Sequence, residues 1–201
     1  MSFFENTRKP VGFGGKLMVA MMNVGHSAVA RWGLQFLNAA PDARVLDCGC
    51  GGGANMKRLL KKYPQGIVKG IDYSPVSVEK SKKVNDDAIA EGRCAVLQGS
   101  VTDMMFAGDW FDAVTAFETV YFWPDLPQCF REVYRVLKPD GTFLICNESS
   151  GDTDKDEKWT KLIGGMTIYK DIELEAYLEQ AGFHDVQIHK KKDWLCITAR
   201  K

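Results

Sequence analysis

From residue 43 onward, short apolar runs alternate with stretches in which apolar residues recur every three or four positions. The short runs are typical of buried strands, and the longer stretches are typical of amphipathic helices. Predicted strands cover residues 43–48, 67–71, 94–97, 111–117 and 142–146, with two more near 186–189 and 195–199. This order predicts an α/β fold in which crossover helices connect the strands of a parallel sheet. The last two strands should instead pair with each other in antiparallel orientation, because the connection at 190–193 is long enough only for a hairpin.

The predicted helices have recognisable ends. The first carries its apolar residues between 56 and 63 and ends at Pro64. The second begins at Ser74 and Pro75 and continues toward Gly92, because a hydroxyl caps free amides and a proline at the first position needs no donor. Two further helices cover residues 126–137, closed by a turn at 138–141, and residues 174–181, closed by a left-handed cap at Gly182.

Length and charge narrow the class of protein. The chain has 201 residues, which suits a single domain. Its hydrophobic share of 45% is enough for a packed core and excludes a disordered chain. Lys and Arg number 26, and Asp and Glu also number 26, so the formal net charge is zero. We therefore expect no nucleic-acid partner, because such proteins present a basic surface.

The cysteines and apolar runs predict a cytoplasmic protein. Six cysteines in a chain of this length do not indicate a disulfide framework, and four of them fall in predicted strands. The longest uninterrupted apolar stretch, residues 17–22, is too short to span a membrane. The N-terminus also lacks the layout of a signal peptide. We expect an unprocessed protein with no membrane span in a reducing compartment.

A glycine-rich turn follows the first predicted strand. Residues 45–53 read Val-Leu-Asp-Cys-Gly-Cys-Gly-Gly-Gly. Gly49, Gly51 and Gly53 permit a tight strand-to-helix connection and a close approach of a ligand to the backbone, and the free amides of the helix favour a negatively charged group. Asp72, at the end of the second strand, can accept hydrogen bonds from both hydroxyls of a ribose. The pattern therefore predicts a nucleoside ligand.

Two nucleoside cofactors compete for this turn, a nicotinamide dinucleotide and S-adenosylmethionine. The dinucleotide fingerprint is G-x-G-x-x-G, whereas Gly49, Gly51 and Gly53 form G-x-G-x-G. The carboxylate of Asp47 would repel a pyrophosphate but can hold the ammonium group of a methionine moiety, directly or through water. The spacing favours S-adenosylmethionine.

The sequence resembles the class I S-adenosylmethionine-dependent methyltransferases, in particular the small bacterial branch related to the ubiquinone and menaquinone methyltransferases. The resemblance covers residues 43–201. It rests on the glycine turn, Gly-Ile-Asp at 70–72, Gly-Ser-Val-Thr-Asp at 99–103, Phe-Asp-Ala-Val at 111–114 and Val-Leu-Lys-Pro-Asp-Gly-Thr at 136–142. It implies a Rossmann-like sheet of seven strands in the order 3-2-1-4-5-7-6, with strand 7 antiparallel and helices on both faces.

The resemblance also implies a layout for the chain. We expect one methyltransferase domain over residues 1–201, with an N-terminal helical cap at 1–40, a Rossmann-like core at 43–201 and an insert at about 149–170. The mixed charges at 152–158 within the insert predict a solvated loop rather than a binding motif. Because so little chain remains outside the core to select a substrate, we expect a small-molecule methyl acceptor.

The resemblance implies cofactor contacts from the turn and from the ends of the second, third and fourth strands. Ser100 stands where the family usually carries an aspartate that accepts from the adenine amino group. The Ser100 hydroxyl can accept the same bond, the Val101 amide can donate to the ring, and Asp103 can supply a carboxylate. The expected cofactor-binding set is Asp47, Gly49, Cys50, Gly51, Gly53, Asp72, Tyr73, Ser100, Val101, Asp103 and Phe117.

Methyl transfer mainly requires that a nucleophile is held in line with the sulfonium methyl. The loop after the fourth strand is the expected acceptor site, because ligands of open α/β sheets bind at the carboxyl ends of strands near the switch point. There Tyr121 can donate to or deprotonate an acceptor, and Glu118 can orient the methionine ammonium or serve as a base. Alternatively, Tyr121, Phe122 and Trp123 form only an aromatic wall.

A methionine-rich segment at 17–34 is helical by composition and predicts a pliable apolar cover for the substrate or the sheet. His26 in this segment is the third catalytic candidate, although a lone histidine among apolar neighbours more often has a structural role. Trp32 and Tyr169 are further candidates for the wall of the substrate site.

The cysteine spacing predicts no metal site. Cys48 and Cys50 lie in the turn, where a metal would occupy the place of the cofactor, and the others lack C-x-x-C spacing. The cysteine content is similar to that of arsenite methyltransferases, but no cluster matches theirs in an obvious way. Two rival functions use the same fold: a non-catalytic S-adenosylmethionine-binding sensor or partner subunit, and an aminopropyl-type transferase.

Overall fold

The structure, a computed structural model, describes residues 26–201. Seven strands form one sheet in the order β3-β2-β1-β4-β5-β7-β6. The strands are β1 (Arg44–Cys48), β2 (Ile67–Asp72), β3 (Cys94–Gln98), β4 (Phe111–Phe117), β5 (Leu137–Asn147), β6 (His184–Lys191) and β7 (Trp194–Arg200). The first five pair in parallel, and β7 is antiparallel to β5 and to β6. The predicted strand order and orientation are confirmed.

Helices cover both faces of this sheet, as predicted. They are α1 (Ser27–Gly33), α2 (Ala54–Lys62), α3 (Pro75–Val84), α4 (Asp86–Ala90), α5 (Leu126–Val136), α6 (Asp154–Leu162) and α7 (Asp171–Gln180). Successive residues of a strand point to opposite faces, and so Leu46 packs with apolar residues of α5 and α7, while Val45 packs with those of α1, α2 and α3.

Strand β1 lies in the middle of the parallel part, paired with β2 on one side and β4 on the other. From Val45 to Cys48 every residue is buried, which explains the continuous apolar run. Asp47 is the one charged residue in that run. Because β1 to β4 run in parallel, their carboxyl ends meet at the same edge of the sheet, and the glycine turn leaves β1 at that edge.

The helix predicted from Ser74 toward Gly92 is interrupted. Helix α3 ends at Val84 and α4 begins at Asp86, because Asn85 between them leaves the helical conformation. The buried Asn85 Nδ2 donates to the carbonyl oxygens of Gly53, at 3.1 Å, and Ser81, at 2.9 Å. A side-chain amide that bonds to backbone carbonyls competes with continuation of the helix. The break thereby attaches α3 to the glycine turn.

Two local predictions also need correction. The predicted loop at 152–158 is wrong, because α6 begins there; the Asp156 carboxylate accepts from the Thr153 backbone N–H at 3.0 Å and caps the helix. The turn at 138–141 lies inside β5, since Leu137 pairs with Phe111 and Thr142 with Ala113. It forms an irregular loop in the ladder rather than a separate connection between α5 and the strand.

Of the predicted N-terminal cap, residues 1–25 lie outside the described residues, and α1 is the first described helix. The predicted left-handed cap after α7 is confirmed by a φ of 102° at Gly182. Among residues 26–201, no helix has the length and apolar composition needed to cross a membrane.

Replacement of Asn85 by Ala should destabilise the fold by about 1–3 kcal/mol, because two buried carbonyl oxygens lose their side-chain donor. The free energy of unfolding, measured by urea titration, checks this value. Lys83→Ala on the exposed side of α3 is the control and should change stability by less than about 0.5 kcal/mol. Equal effects of the two substitutions would contradict the structural role of Asn85.

Candidate functional site

A cavity of about 350 Å³ lies at the carboxyl ends of β1, β2, β3 and β4. Its volume is within the range of small-molecule sites. Ten of the predicted site residues line it: His26, Gly49, Cys50, Gly51, Asp72, Tyr73, Ser100, Val101, Phe117 and Glu118. The other four, Asp47, Gly53, Asp103 and Tyr121, lie outside this lining. The structure therefore brings residues from five separate segments of the chain to one cleft.

The glycine turn adopts a backbone that requires glycine. Gly49, Gly51 and Gly53 have φ values of 73°, 50° and 81°, in the left-handed region that side chains rarely adopt. A Cβ on Gly51 would meet no atom within 4 Å, so this part of the turn opens toward the cavity. A Cβ on Gly53 would lie 2.5 Å from Ser81 Oγ, so there the turn packs closely on α3. One face of the turn thus packs on a helix while another is available to a ligand.

Asp72 connects this turn to the end of β2. Its Oδ2 accepts from the Gly51 N–H and its Oδ1 from the Ser74 N–H, both at 2.9 Å. Burial raises the pKa of Asp72, while the two amides act in the opposite direction. Each carboxylate oxygen still has acceptor capacity after one amide bond. The Ser77 side chain is a third hydrogen-bond partner, and the carboxylate is held on the cavity wall with acceptor capacity left for a ligand hydroxyl.

The third strand supplies the next part of the wall. Ser100 and Val101 line the cavity, and the half-exposed Tyr73 lies beside them at the end of β2. The Ser100 hydroxyl is 2.8 Å from the hydroxyl of Thr102. Asp103 is exposed and lies outside the lining. Of the three residues predicted to contact adenine, Ser100 and Val101 are thus on the wall.

Asp47 lies beneath the turn rather than on the cavity wall. It is only 2% exposed, and its Oδ1 accepts from the Thr115 hydroxyl at 2.8 Å. Burial raises the pKa of Asp47 to about 7, against the lowering effect of the Thr115 bond. Of the two predicted contacts with a methionine ammonium, this placement favours the one through water.

The end of β4 forms the opposite wall. Phe117 is buried and apolar, and Glu118, with a φ of 57°, turns the chain sharply after the strand. Phe122 and Trp123 also line the cavity. The Trp123 indole N–H donates to Thr119 Oγ1 at 3.1 Å, which fixes the ring. Of the predicted aromatic wall, Phe122 and Trp123 thus line the cavity, whereas Tyr121 does not.

Glu118 is part of a polar cluster with His26 and Glu148. His26 Nδ1 lies 3.7 Å from Glu118 Oε2 and 3.3 Å from Glu148 Oε2. Burial raises the pKa of Glu118 to about 8, while His26 acts to lower it. Burial alone would lower the pKa of His26, but Glu148 and Glu118 outweigh it and raise that pKa. His26 and Glu118 line the cavity, so the cluster lies at its edge.

Tyr121 has a different position. Its hydroxyl accepts from the Ser149 N–H at 3.0 Å and donates to the Ser149 carbonyl at 3.4 Å. The side chain is buried and lies outside the cavity lining. Trp32, which packs against Phe36, and Tyr169, which packs against Tyr177, also lie outside it.

Sequence reasoning missed residues of α2 and β5. Arg58 and Asn55 line the cavity, and the Arg58 guanidinium donates to Asn55 Oδ1 and to Ser27 Oγ, both at 2.7 Å. No sequence pattern separates Arg58 from the other basic residues of that helix. Glu148 was findable, because it follows β5 directly and the carboxyl ends of parallel strands are where ligands bind.

Comparisons with known proteins identify relatives of the chain. A family model described as "Methyltransferase domain" matches residues 46–145, which include the glycine turn and most of β1 to β5. A relative from Bacillus subtilis, named "Putative methyltransferase YrhH", is 31% identical over 158 residues. The match covers 79% of this chain and 78% of YrhH.

Longer relatives match over part of their length. Cycloartenol-C-24-methyltransferase of Arabidopsis thaliana is 31% identical over 157 residues, covering 73% of this chain and 46% of that protein. The chain thus spans less than half the length of this plant relative. Among solved structures, a SAM-dependent methyltransferase from Aquifex aeolicus superposes with a TM-score of 0.77 at 18% identity, covering 92% of this chain and 97% of the other. This likeness shows the fold.

Asp72→Ala should weaken the binding of S-adenosylhomocysteine at least tenfold, about 1.4 kcal/mol, because two ribose hydroxyls lose a charged acceptor. Isothermal titration calorimetry measures the affinity, and a melting curve verifies that the variant is folded. Asp42→Ala, which removes an exposed carboxylate before β1, is the control and should bind as wild type does. An affinity of Asp72→Ala within twofold of wild type would place the ribose elsewhere.

Asp47→Asn should stabilise the protein more at pH 8 than at pH 5. The folded-state pKa of Asp47, about 7, lies above its ordinary 3.8, so the wild type loses stability as the pH rises between these values. The neutral side-chain amide of the variant keeps an acceptor for Thr115 and avoids that loss. Urea unfolding at both pH values measures the difference. Asp42→Asn is the control, and a pH-independent effect of Asp47→Asn would refute the prediction.

Proposed function

Because the chain belongs to the class I S-adenosylmethionine-dependent methyltransferases, we propose that it transfers a methyl group from S-adenosylmethionine to a small-molecule acceptor by in-line displacement. One observation carries the proposal. The same cavity is lined by the Asp72 carboxylate, which can accept hydrogen bonds from hydroxyls, and by a polar and aromatic wall at the end of β4. A nucleoside cofactor and an acceptor can therefore meet in it.

The first wall of the cavity, formed by Asp72, Tyr73, Ser100 and Val101, fits the cofactor. Asp72 would accept from the ribose hydroxyls, and Ser100 and Val101 would contact the adenine beside Tyr73. The open face at Gly51 leaves space for the rest of the molecule along the turn. Bound S-adenosylmethionine supplies an electrophilic methyl group on a sulfonium.

The second wall of the cavity, at the end of β4, is suited to an acceptor that is partly apolar. Phe122 and Trp123 offer aromatic surface, while His26 and Glu118 offer polar atoms at the same edge. An acceptor with an apolar body and one polar reacting atom matches this combination. The name of the Arabidopsis relative, a cycloartenol methyltransferase, points to an apolar acceptor of the same general kind. The zero net charge supports a small molecule over a nucleic acid.

The chain contributes to catalysis mainly by positioning. Placing the nucleophile in line with the methyl group can supply about 7–11 kcal/mol of the barrier in favourable cases. His26 and Glu118 would contact the acceptor and orient its reacting atom, and Phe122 and Trp123 would exclude water. Tyr121 acts as a positioning residue, because its hydroxyl holds the backbone of Ser149, directly after Glu148.

Calorimetry and a turnover assay test this function. We expect one equivalent of S-adenosylmethionine and of S-adenosylhomocysteine to bind, because the first wall is already formed. We also expect S-adenosylhomocysteine to accumulate with at least one acceptor from a panel of apolar alcohols, amines, thiols and carbon acids. Asp42→Ala serves as a folded control with unchanged turnover.

The outcomes separate the rival functions. No binding of either ligand at millimolar concentration would contradict the whole proposal. Binding without turnover across all four acceptor classes would support a sensor or partner subunit instead. Release of methylthioadenosine, with transfer of the aminocarboxypropyl group of S-adenosylmethionine or of the aminopropyl group of its decarboxylated form, would support the aminopropyl-type transferase.

A further inference from the structure

Three side chains from separate parts of the fold converge at the edge of the cavity where the methyl acceptor is proposed to bind. His26 directly precedes α1, Glu118 directly follows β4, and Glu148 directly follows β5. One imidazole nitrogen and one oxygen from each carboxylate all lie within 4.8 Å of one another. An imidazole and two carboxylates form a ligand set that divalent transition metals accept.

The separations between these atoms are close to those of ligands that share one ion. Ligand atoms about 2.0–2.2 Å from a metal in tetrahedral or octahedral geometry are about 2.8–3.6 Å from their nearest neighbours among the ligands. His26 Nδ1 lies 3.3 Å from Glu148 Oε2 and 3.7 Å from Glu118 Oε2. Small side-chain rotations would therefore bring all three atoms to bonding distance from one point.

The fold holds Glu118 in place for this role. Its backbone has a φ of 57°, a conformation that costs energy for a residue with a side chain. Its N–H donates to the Cys146 carbonyl at 3.0 Å, and its Oε1 accepts from the Glu148 N–H. One carboxylate oxygen is thus used for positioning, while the other faces the imidazole of His26. Bonds of this kind orient metal ligands in proteins.

Two carboxyl groups share one imidazole in this cluster. Among the side chains that the structure describes, neither Glu118 nor Glu148 has a Lys or Arg partner, and both form an ion pair with His26 alone. The Glu118 side chain is only 11% exposed. His26 Nδ1 is buried and makes no hydrogen bond to the described residues. A divalent cation between the two carboxyl groups would give all three side chains a common partner and would favour the ionised form of Glu118.

We propose that His26, Glu118 and Glu148 bind one divalent transition-metal cation, such as Mn²⁺ or Zn²⁺, that holds an oxygen of the methyl acceptor. His26 and Glu118 line the cavity, so the remaining coordination positions of the ion face the acceptor. This proposal deepens the proposed function, on which its acceptor rests. The sequence predicted no metal site from the spacing of its cysteines. The proposed site departs from that prediction, because its ligands are a histidine and two glutamates.

The ion explains how a hydroxyl acceptor becomes a nucleophile. A hydroxyl bound to a divalent metal loses its proton to solvent more easily. The oxygen then forms a bond to the methyl carbon, and the electron pair of the broken carbon–sulfur bond stays on sulfur as S-adenosylhomocysteine leaves. The acceptor class is therefore an oxygen nucleophile, a hydroxyl or phenol with an apolar body.

Metal binding is tested on the full chain after treatment with EDTA. Mn²⁺ titration followed by electron paramagnetic resonance and Zn²⁺ titration by calorimetry should each give one ion per chain. His26→Gln and Glu148→Gln should each weaken binding at least tenfold, because each removes one ligand. His184→Gln and Glu179→Gln, at exposed positions outside the cluster, are the matched controls and should bind as wild type does.

The competing arrangement is an imidazolium held between two carboxylates without an ion. No stoichiometric binding of Mn²⁺ or Zn²⁺ at about 1 mM, or equal binding by wild type and both cluster variants, would overturn the metal site. Full turnover by metal-free protein would overturn its role with the acceptor. Binding of S-adenosylhomocysteine to metal-free protein is measured in parallel, since its loss would count against the proposed function and not against the metal site. Melting curves identify any variant that fails to fold.

Discussion

The Asp72 carboxylate joins the two loops on which the cofactor site depends. Its two oxygens accept from the amides of Gly51, after β1, and of Ser74, after β2. Parallel pairing of β1 with β2 brings these loops together, and the carboxylate then fixes their spacing. Asp72, which is expected to bind the ligand, therefore also holds together the loops that form the site. Such double use is common where a polar side chain is buried beside a cleft, because every acceptor position there needs a partner.

The positions of the strands along the chain could be predicted because a parallel sheet is buried on both faces, whereas their order in the sheet followed from the family resemblance. Its strands are continuous apolar runs, as in β1 and β4, and the crossover helices have a different period. The break at Asn85 could not be predicted, because it depends on a bond to Gly53, 32 residues away. Helix α6 was missed for another reason, since alternating charges at 152–158 carry no apolar period.

The same division holds for the candidate site. Asp72 and Glu118 were found because they lie at or directly after the end of a strand, and the carboxyl edge of a parallel sheet is a fixed place in space. Ser100 was found through the family resemblance. Arg58 and Glu148 were not found. The position of Arg58 depends on which side of α2 faces the cavity, and Glu148 directly follows β5, whose end was not considered as part of the site. Tyr121 shows the reverse case, because a chemically capable side chain points into the protein and bonds to Ser149.

Within residues 26–201, strand β6 forms one edge of the sheet, and its outer backbone groups have no neighbouring strand. Such an edge can recruit a strand from another molecule. In β6 the register shifts between His184 and Gln187, with Asp185 at a φ of 49°, and the strand ends in Lys190 and Lys191. A bulge and like charges both oppose the addition of a further strand. The hairpin that completes the fold thus also protects it against edge-to-edge aggregation.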